Sequence, residues 1–254
     1  MTDKEIIRHI DDGANFYISL FGNAEHMEIV DRTYYRYIKP KTAVHGISFI
    51  YDIHLDNIPL EQAKMIVSDI KSLNMPFWLN LSSSDELFRL FFGKNREHGQ
   101  TEFRDNDEIY MALLPSHQKN YKNVDKKIIK VQSADEFAVW ADINNGILAG
   151  GLPDMHPIYH YPLCRKGVMK CYVVYEQEKP VAVSAIMDNH GIASLEFVAT
   201  VPELRRKGYA KAVCEKAIQD AFENGVKIIT VRAINLAAAK LYESLGFRAY
   251  NYVL

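Results

Sequence analysis

The stretch "VATVPELRRKGYAKAVCEKAIQDAFENG", Val198 to Gly225, decides the reading of this chain. It continues the apolar, β-prone run "IASLEF", and the whole run is bounded by Gly191 and Pro202. Beyond Pro202 the period changes. Ala210, Val213, Cys214, Ala217, Ile218, Ala221 and Phe222 form the i, i+3, i+4, i+7 stripe of a half-buried helix. Asn224-Gly225 supplies its stop. This spacing predicts that "RRKG" occupies the first turn, an unfavourable place for cations because a helix N-terminus already carries partial positive charge. An anion resolves the conflict. The free N–H groups of roughly Arg206 to Lys211 point outward there. Gly208 permits close backbone approach or a left-handed turn. Arg205, Arg206 and Lys207 can add charge-assisted hydrogen bonds to phosphate oxygens.

Outward from this stretch, strand and helix signals alternate. "KCYVVYEQEKPVAVSAIMDNHGIASLEFVATV" holds three apolar runs split by "EQEKP" and "DNHG", an antiparallel meander. "IIKV" reads as a strand ahead of a helix "SADEFAVWADINNG", which Ser133 and Glu136 open as a capping box. After the long helix come the strand "KIITVRA", a short helix "AAAKLYESLG" and a last strand "FRAYNYVL". The region is α+β with one mixed sheet. "PSHQKNYKNVDKK", Pro115 to Lys127, is polar and aperiodic, and marks a linker. The expected domains are residues 1–118, a linker over 119–126, and residues 127–254.

The first half repeats the order. "DKEIIRHIDDGANFYISLFG" is helical, while "EIVDRTYYRYIKP", "HGISFIYDIHLD" and "MPFWLNL" read as strands. "PLEQAKMIVSDIKSLN" is a helix with Leu60, Ala63, Ile66, Val67, Ile70 and Leu73 on one face. "SSSDELFRLFFG" is a short helix, with Ser83 and Glu86 as a capping box. Setting "DELFRLF" beside "AKLYESL" brings Leu87-Phe88 onto Leu241-Tyr242, so a diverged internal duplication is expected. The halves differ at one point. "LDNIPLEQ", before the long helix of the first half, has neither glycine nor cation, so that half should bind no anion there.

With 48% apolar and 24% charged residues, every region can build a core. A formal net charge of −2 disfavours nonspecific nucleic-acid binding. No apolar run is long enough to span a bilayer, and the acidic, amphipathic "MTDKEIIRHIDDG" is unlike a signal peptide. Cys164, Cys171 and Cys214 cannot all pair, which suits a reducing cytoplasm. His156, His160 and Cys164 have helical i, i+4, i+8 spacing, but Pro157 and Pro162 should interrupt any helix, so no metal site is expected. The aromatic "TYYRYI" reads as strand packing, since no basic field accompanies it.

Together, "FVATVP", Arg205-Arg206-Lys207-Gly208-Tyr209-Ala210 and "VRAINLAAAKLYESLGF" resemble the GNAT superfamily of acetyl-CoA-dependent N-acyltransferases, over roughly Lys127 to Leu254. The first hexapeptide is similar to the family's (Q/R)-x-x-G-x-(G/A) pyrophosphate motif. Asn235, Ala238, Leu241, Tyr242, Gly246 and Phe247 match its N-x-x-A-x-x-L-Y-x-x-x-G-F segment. The resemblance implies a tandem chain with a degenerate GNAT-like first half and a mixed, mostly antiparallel sheet flanked by helices. It implies acetyl-CoA as cosubstrate, held by the loop from Arg205 to Lys211, with the pantetheine arm along Val198, Ala199 and Thr200. Asn235 would contact the cofactor and Tyr242 would lie near its sulfur. Two departures are visible. The chain stops soon after Gly246, so the usual final strand should be missing or short, and the position where some members carry a carboxylate on "IITVRA" holds Thr230.

The chemistry adds its own demands. A lysine-like amine is free in only about one part in a thousand at pH 7.4, so a base is needed. Glu196 is the first candidate and His190 the second. The departing thiolate needs a proton, and Tyr242 fills that role by resemblance. The resemblance also implies that "DMHPIYHYPLC" lies over the acceptor site, so His156, Tyr159 or Tyr161 would touch the acceptor. The expected activity is acetyl transfer to a primary amine of a small molecule or peptide, by a monomer or homodimer. The alternatives are a glycine N-acyltransferase-like enzyme using another acyl-CoA, and a CoA-binding regulatory module without catalysis.

Overall fold

A computed structural model describes residues 1–42, 46–96, 108–119, 126–148 and 155–251. The chain divides into two compact units, Met1–Thr101 with Asn251–Leu254, and Glu102–Tyr250.

The first unit runs α1 (Asp3–Gly22), β1 (Met27–Asp31), β2 (Arg36–Pro40), β3 (Phe49–Tyr51), α2 (Leu60–Ser72) and α3 (Asp85–Phe92). Thr2 and Glu5 close a capping box at the start of α1. The three strands form an antiparallel sheet in the order β1-β2-β3. "MPFWLNL" makes only a parallel bridge, Phe77 to Ile50, rather than a full strand. Its Pro76 carbonyl accepts from Ile50 N–H, and Trp78 N–H donates back to Ile50 O. The cap of α3 is Ser84, whose hydroxyl accepts from Leu87 N–H, and not Ser83. In a run of three serines the choice falls to the backbone, and Asp56 holds Ser84 N–H at 2.8 Å.

The second unit comprises β4 (Ile109–Leu113), β5 (Lys127–Lys130), α4 (Ala134–Leu148), α5 (Pro157–Arg165), β6 (Met169–Glu176), β7 (Lys179–Asn189), β8 (Ile192–Thr200), α6 (Tyr209–Glu223), β9 (Ile228–Ala233), α7 (Leu236–Leu245) and β10 (Arg248–Ala249). Its seven-stranded sheet has the order β10-β4-β9-β8-β7-β6-β5. Every neighbouring pair is antiparallel except β8 with β9. The fold is thus mixed α+β, a mostly antiparallel sheet flanked by helices. In β7, Val181 to Met187 are all buried, an apolar run with Ser184 at its centre, as in a strand covered on both faces. α4 and α6 supply that cover, each packing on β7 and β8.

The division of units differs from the expected 1–118 and 127–254. β4 lies upstream of the linker yet pairs with β9 from Ile109↔Ala233 to Leu113↔Ile229, so it belongs to the second sheet. No local signal in "IYMALL" reveals a partner so distant in sequence. The linker itself falls largely outside the described residues. The last strand is short, with two residues on β4. Gly246 ends α7 at φ 105, and the carbonyl of His117 lies where a side chain would stand, so glycine is required twice over.

Candidate active site

The site begins with a fault in β8. Ala185 pairs with Glu196 and Val183 with Ala199, so Phe197 and Val198 together oppose Ser184. Phe197 absorbs the extra residue at φ 55, a left-handed bulge for a bulky side chain. The Trp140 ring meets the Phe197 ring edge-on at 5.5 Å, and Trp140 Nε1–H donates to Ser184 O at 3.0 Å. α4 therefore clamps the bulge from one face.

β8 and β9 then part. Their pairing covers Ile192↔Ile228 to Ser194↔Thr230, after which β8 follows β7 to Thr200 while β9 follows β4 to Ala233. An open edge of β8 faces the gap. Val201 N–H bonds Val181 O, so by the alternation of an antiparallel ladder Ala199 is turned toward β7, and Val198 and Thr200 toward the gap. Of the expected pantetheine-binding trio, Val198 and Thr200 thus present backbone groups and Ala199 does not. Thr200 O is taken by Arg205 Nε–H at 3.2 Å.

The basic loop comes before the helix rather than within its first turn. Pro202–Leu204 form a short 3₁₀ turn, Arg206 is left-handed at φ 66, Gly208 is left-handed at φ 81, and α6 starts at Tyr209. The first backbone bond of α6 is Ala212 N–H to Gly208 O. Among the described residues, no N–H from Arg206 to Lys211 meets a backbone carbonyl. Left-handed residues alternating with ordinary ones turn successive N–H groups inward as an anion-binding concavity. The space around Gly208 is open. Arg206 and Lys207 are exposed, while Tyr209 is buried, its hydroxyl bonded to Glu176 and its ring 3.8 Å from Lys126 Nζ. The loop's free donors and open face fit a pyrophosphate.

At the mouth of the gap stands Glu196, two residues past the last paired step, with Arg232 in the facing place on β9. Arg232 Nη2 lies 3.3 Å from both carboxylate oxygens, and the side chains are 12% and 10% exposed. Burial pushes the Glu196 carboxyl above its ordinary range, and Arg232 pulls in the opposite direction. Tyr242, on α7, is 5% exposed, and its ring packs at 5.8 Å from Phe247. Burial first, then the Cys214 thiol and the Glu196 carboxylate, hold its phenol well above the usual range. Glu196 and Tyr242 are therefore close enough to feel each other's charge. Asn235 caps α7, with Oδ1 accepting from Ala238 N–H at 2.8 Å, so only its Nδ2 is left to reach a ligand.

Other candidates lie elsewhere. His190 is in the exposed β7–β8 turn at the far end of β8 from the gap. Thr230 is buried, donating to Ala193 O. His160 and Cys164 share a helix after all and His156 caps it, because Pro157 stands at its start and α5 tolerates Pro162 inside. They still do not converge as ligands. His156 Nδ1 accepts from Ile158 N–H, His160 Nδ1 accepts from His156 N–H, and Cys164 Sγ lies 3.8 Å from Cys171 Sγ. Tyr161 donates to Gln132 O at 2.6 Å, and Tyr159 is partly exposed. Residues 149–154 lie outside the described residues. Sequence reasoning missed Arg232 and the Phe197 bulge, since both depend on how β8 and β9 align.

Residues 137–247 match the model of the acetyltransferase (GNAT) family. The matched segment takes in the bulge, the parted strands, the basic loop and α7. Among solved structures, a GCN5-related N-acetyltransferase from Kribbella flavida is similar over 95% of this chain and 92% of its own, at 15% identity and a TM-score of 0.63. A functionally unknown conserved protein from Staphylococcus epidermidis is similar over 92% of each chain, at 12% identity and a TM-score of 0.54. At these identities the likeness is one of fold, and it extends beyond the GNAT segment to both units. No curated protein matches the chain.

Proposed function

We propose that the protein is an N-acetyltransferase that transfers the acetyl group of acetyl-CoA to a primary amine of a small molecule or peptide. The observation that carries this reading is the gap between β8 and β9. It has backbone groups of Val198 and the backbone N–H of Thr200 along one edge, an anion-binding loop from Arg205 to Lys211 at one end, and two buried ionisable side chains, Glu196 and Tyr242, beside it. The loop amides and cations hold the pyrophosphate, and Asn235 Nδ2 adds a contact. Acetyl-CoA brings the activated thioester, which the free amine attacks directly.

Glu196 takes the amine's proton. A carboxyl raised above its ordinary range is a stronger base than an exposed one, which narrows the gap to an ammonium of pKa about 10.4. Tyr242 gives a proton to the departing thiolate, and its raised pKa keeps the phenol protonated at neutral pH.

The first unit is read as a degenerate copy without cofactor. Both units have a helix, three antiparallel strands, a long helix, a chain segment parallel to the third strand, and a short helix. Asp52, just past β3, is left-handed at φ 55, as Phe197 is in β8. Cys164, Cys171 and Cys214 are free thiols, which fits the reducing cytoplasm.

The test is turnover of acetyl-CoA over a panel of amines, read as free thiol release and acetylated product. Product with at least one amine supports the reading. Tight CoA binding without turnover on any amine would replace it with a regulatory module.

A further inference from the structure

We propose that Arg232 is a positioning residue of this site: its guanidinium, shared between both carboxylate oxygens of Glu196 where β8 and β9 part, keeps that carboxylate ionised and aimed into the gap. The inference rests on Glu196 being the base.

Among the described residues, four groups bear on Glu196: Arg232 on β9, Glu108 at the approach to β4, Tyr242 on α7 and Ser194 on its own strand. Of these only Arg232 is a cation. Glu108 repels a second negative charge, and Tyr242 and Ser194 are neutral. Burial opposes ionisation most strongly of all. A buried carboxyl without a cationic partner escapes the cost by staying protonated, and a protonated carboxyl cannot accept the amine's proton.

The geometry suits holding rather than locking. One nitrogen, Nη2, straddles both oxygens at 3.3 Å, the long end of the hydrogen-bond range. A tight fork would use two nitrogens, one on each oxygen. Each carboxylate oxygen therefore keeps lone pairs free for an incoming N–H. The pair is also placed for work rather than for tying the sheet together. It stands beyond the Ser194↔Thr230 step, where the strands no longer bond to each other.

A merely structural ion pair and a positioning residue differ in what removal does to the pH profile. The experiment measures kcat/KM against pH, with the best amine of the panel, for the wild type, E196Q, R232Q and R232K, with a melting curve at each pH. E196Q should lose the acidic limb. R232Q should keep the limb but move it up by about one pH unit or more, which is a tenfold or greater loss below it and recovery above it. R232K, which keeps the cation but not its reach to both oxygens, should move the limb up by less than R232Q does. If R232Q fails to fold, R232K decides, because a lysine too short to straddle both oxygens should still raise the limb measurably. A limb that stays in place in the folded Arg232 variants, while E196Q abolishes it, overturns the inference and leaves the base standing. An E196Q enzyme with near-normal rate and an intact limb overturns the base, and Arg232's role with it.

Discussion

Asn15 Oδ1 accepts the backbone N–H of Asp52 at 3.1 Å, so the left-handed residue just past β3 has its own donor taken by a side chain of α1. Asp11, one turn earlier on α1, accepts from Leu81 N–H at 2.6 Å and Ser82 N–H at 2.9 Å. Side chains of α1 thus take the backbone donors of Asp52, Leu81 and Ser82, and "LDNIPLEQ" at the start of α2 has neither glycine nor a basic residue. Calorimetric titration should accordingly give one CoA per chain. Two sites of comparable affinity would show that the α1 side chains do not close the first unit.

The second prediction concerns the loop. Gly208→Asp places a negative side chain in the open space where phosphates would approach, at a φ of 81 that aspartate tolerates better than most residues. The fold should survive with a small loss of stability, while CoA affinity collapses. In the wild type, CoA at a hundred times its dissociation constant should stabilise by roughly 2.7 kcal/mol. A variant that keeps this ligand-induced rise in Tm would move the phosphate site away from the loop.

Asn235 separates packing from binding, because its oxygen caps α7 while its nitrogen is left for a ligand. Asn235→Asp keeps an oxygen for the cap and should leave Tm nearly unchanged, but it replaces the donor with a charge that repels phosphate. CoA affinity should fall severalfold or more. Asn235→Ala should lose both, with about 1 kcal/mol of stability going with the cap. Equal CoA affinity in the wild type and Asn235→Asp would remove this residue from the cofactor site.

Much of the second unit was legible because its signals are local. The helical stripe from Val213 to Ala221, the Ser133–Glu136 box and the three-run meander each lie within one stretch of chain, and each is found where the pattern puts it. Two local expectations shifted by a few residues, "RRKG" out of the helix and the α3 cap from Ser83 to Ser84. Helix ends are decided by backbone competition that residue type only biases. What the sequence could not carry is register. β4 joins the sheet across more than a hundred residues, Ala199 turns away from the gap because of one extra residue at Phe197, and Arg232 meets Glu196 only once β8 and β9 are aligned. A one-residue slip would exchange every one of these partners.

The last prediction is about the leaving group. Tyr242 is buried, packs on Phe247, and has its phenol raised by burial and by neighbouring Cys214 and Glu196. Tyr242→Phe keeps the ring, so stability should change by no more than the net worth of one hydrogen bond, roughly 0.5–1.5 kcal/mol. CoA affinity should hardly move, since the loop and the open edge of β8 make most of the proposed contacts. The rate should fall about 10²–10⁴-fold, the usual effect of removing a general acid. That loss should shrink with an acyl donor whose thiol is more acidic, because its thiolate leaves without help. The decisive measurement is kcat with both donors beside a melting curve for each variant. A folded Phe variant with near-normal turnover would return Tyr242 to the core, whereas an equal loss with both donors would place its role in positioning rather than in proton transfer.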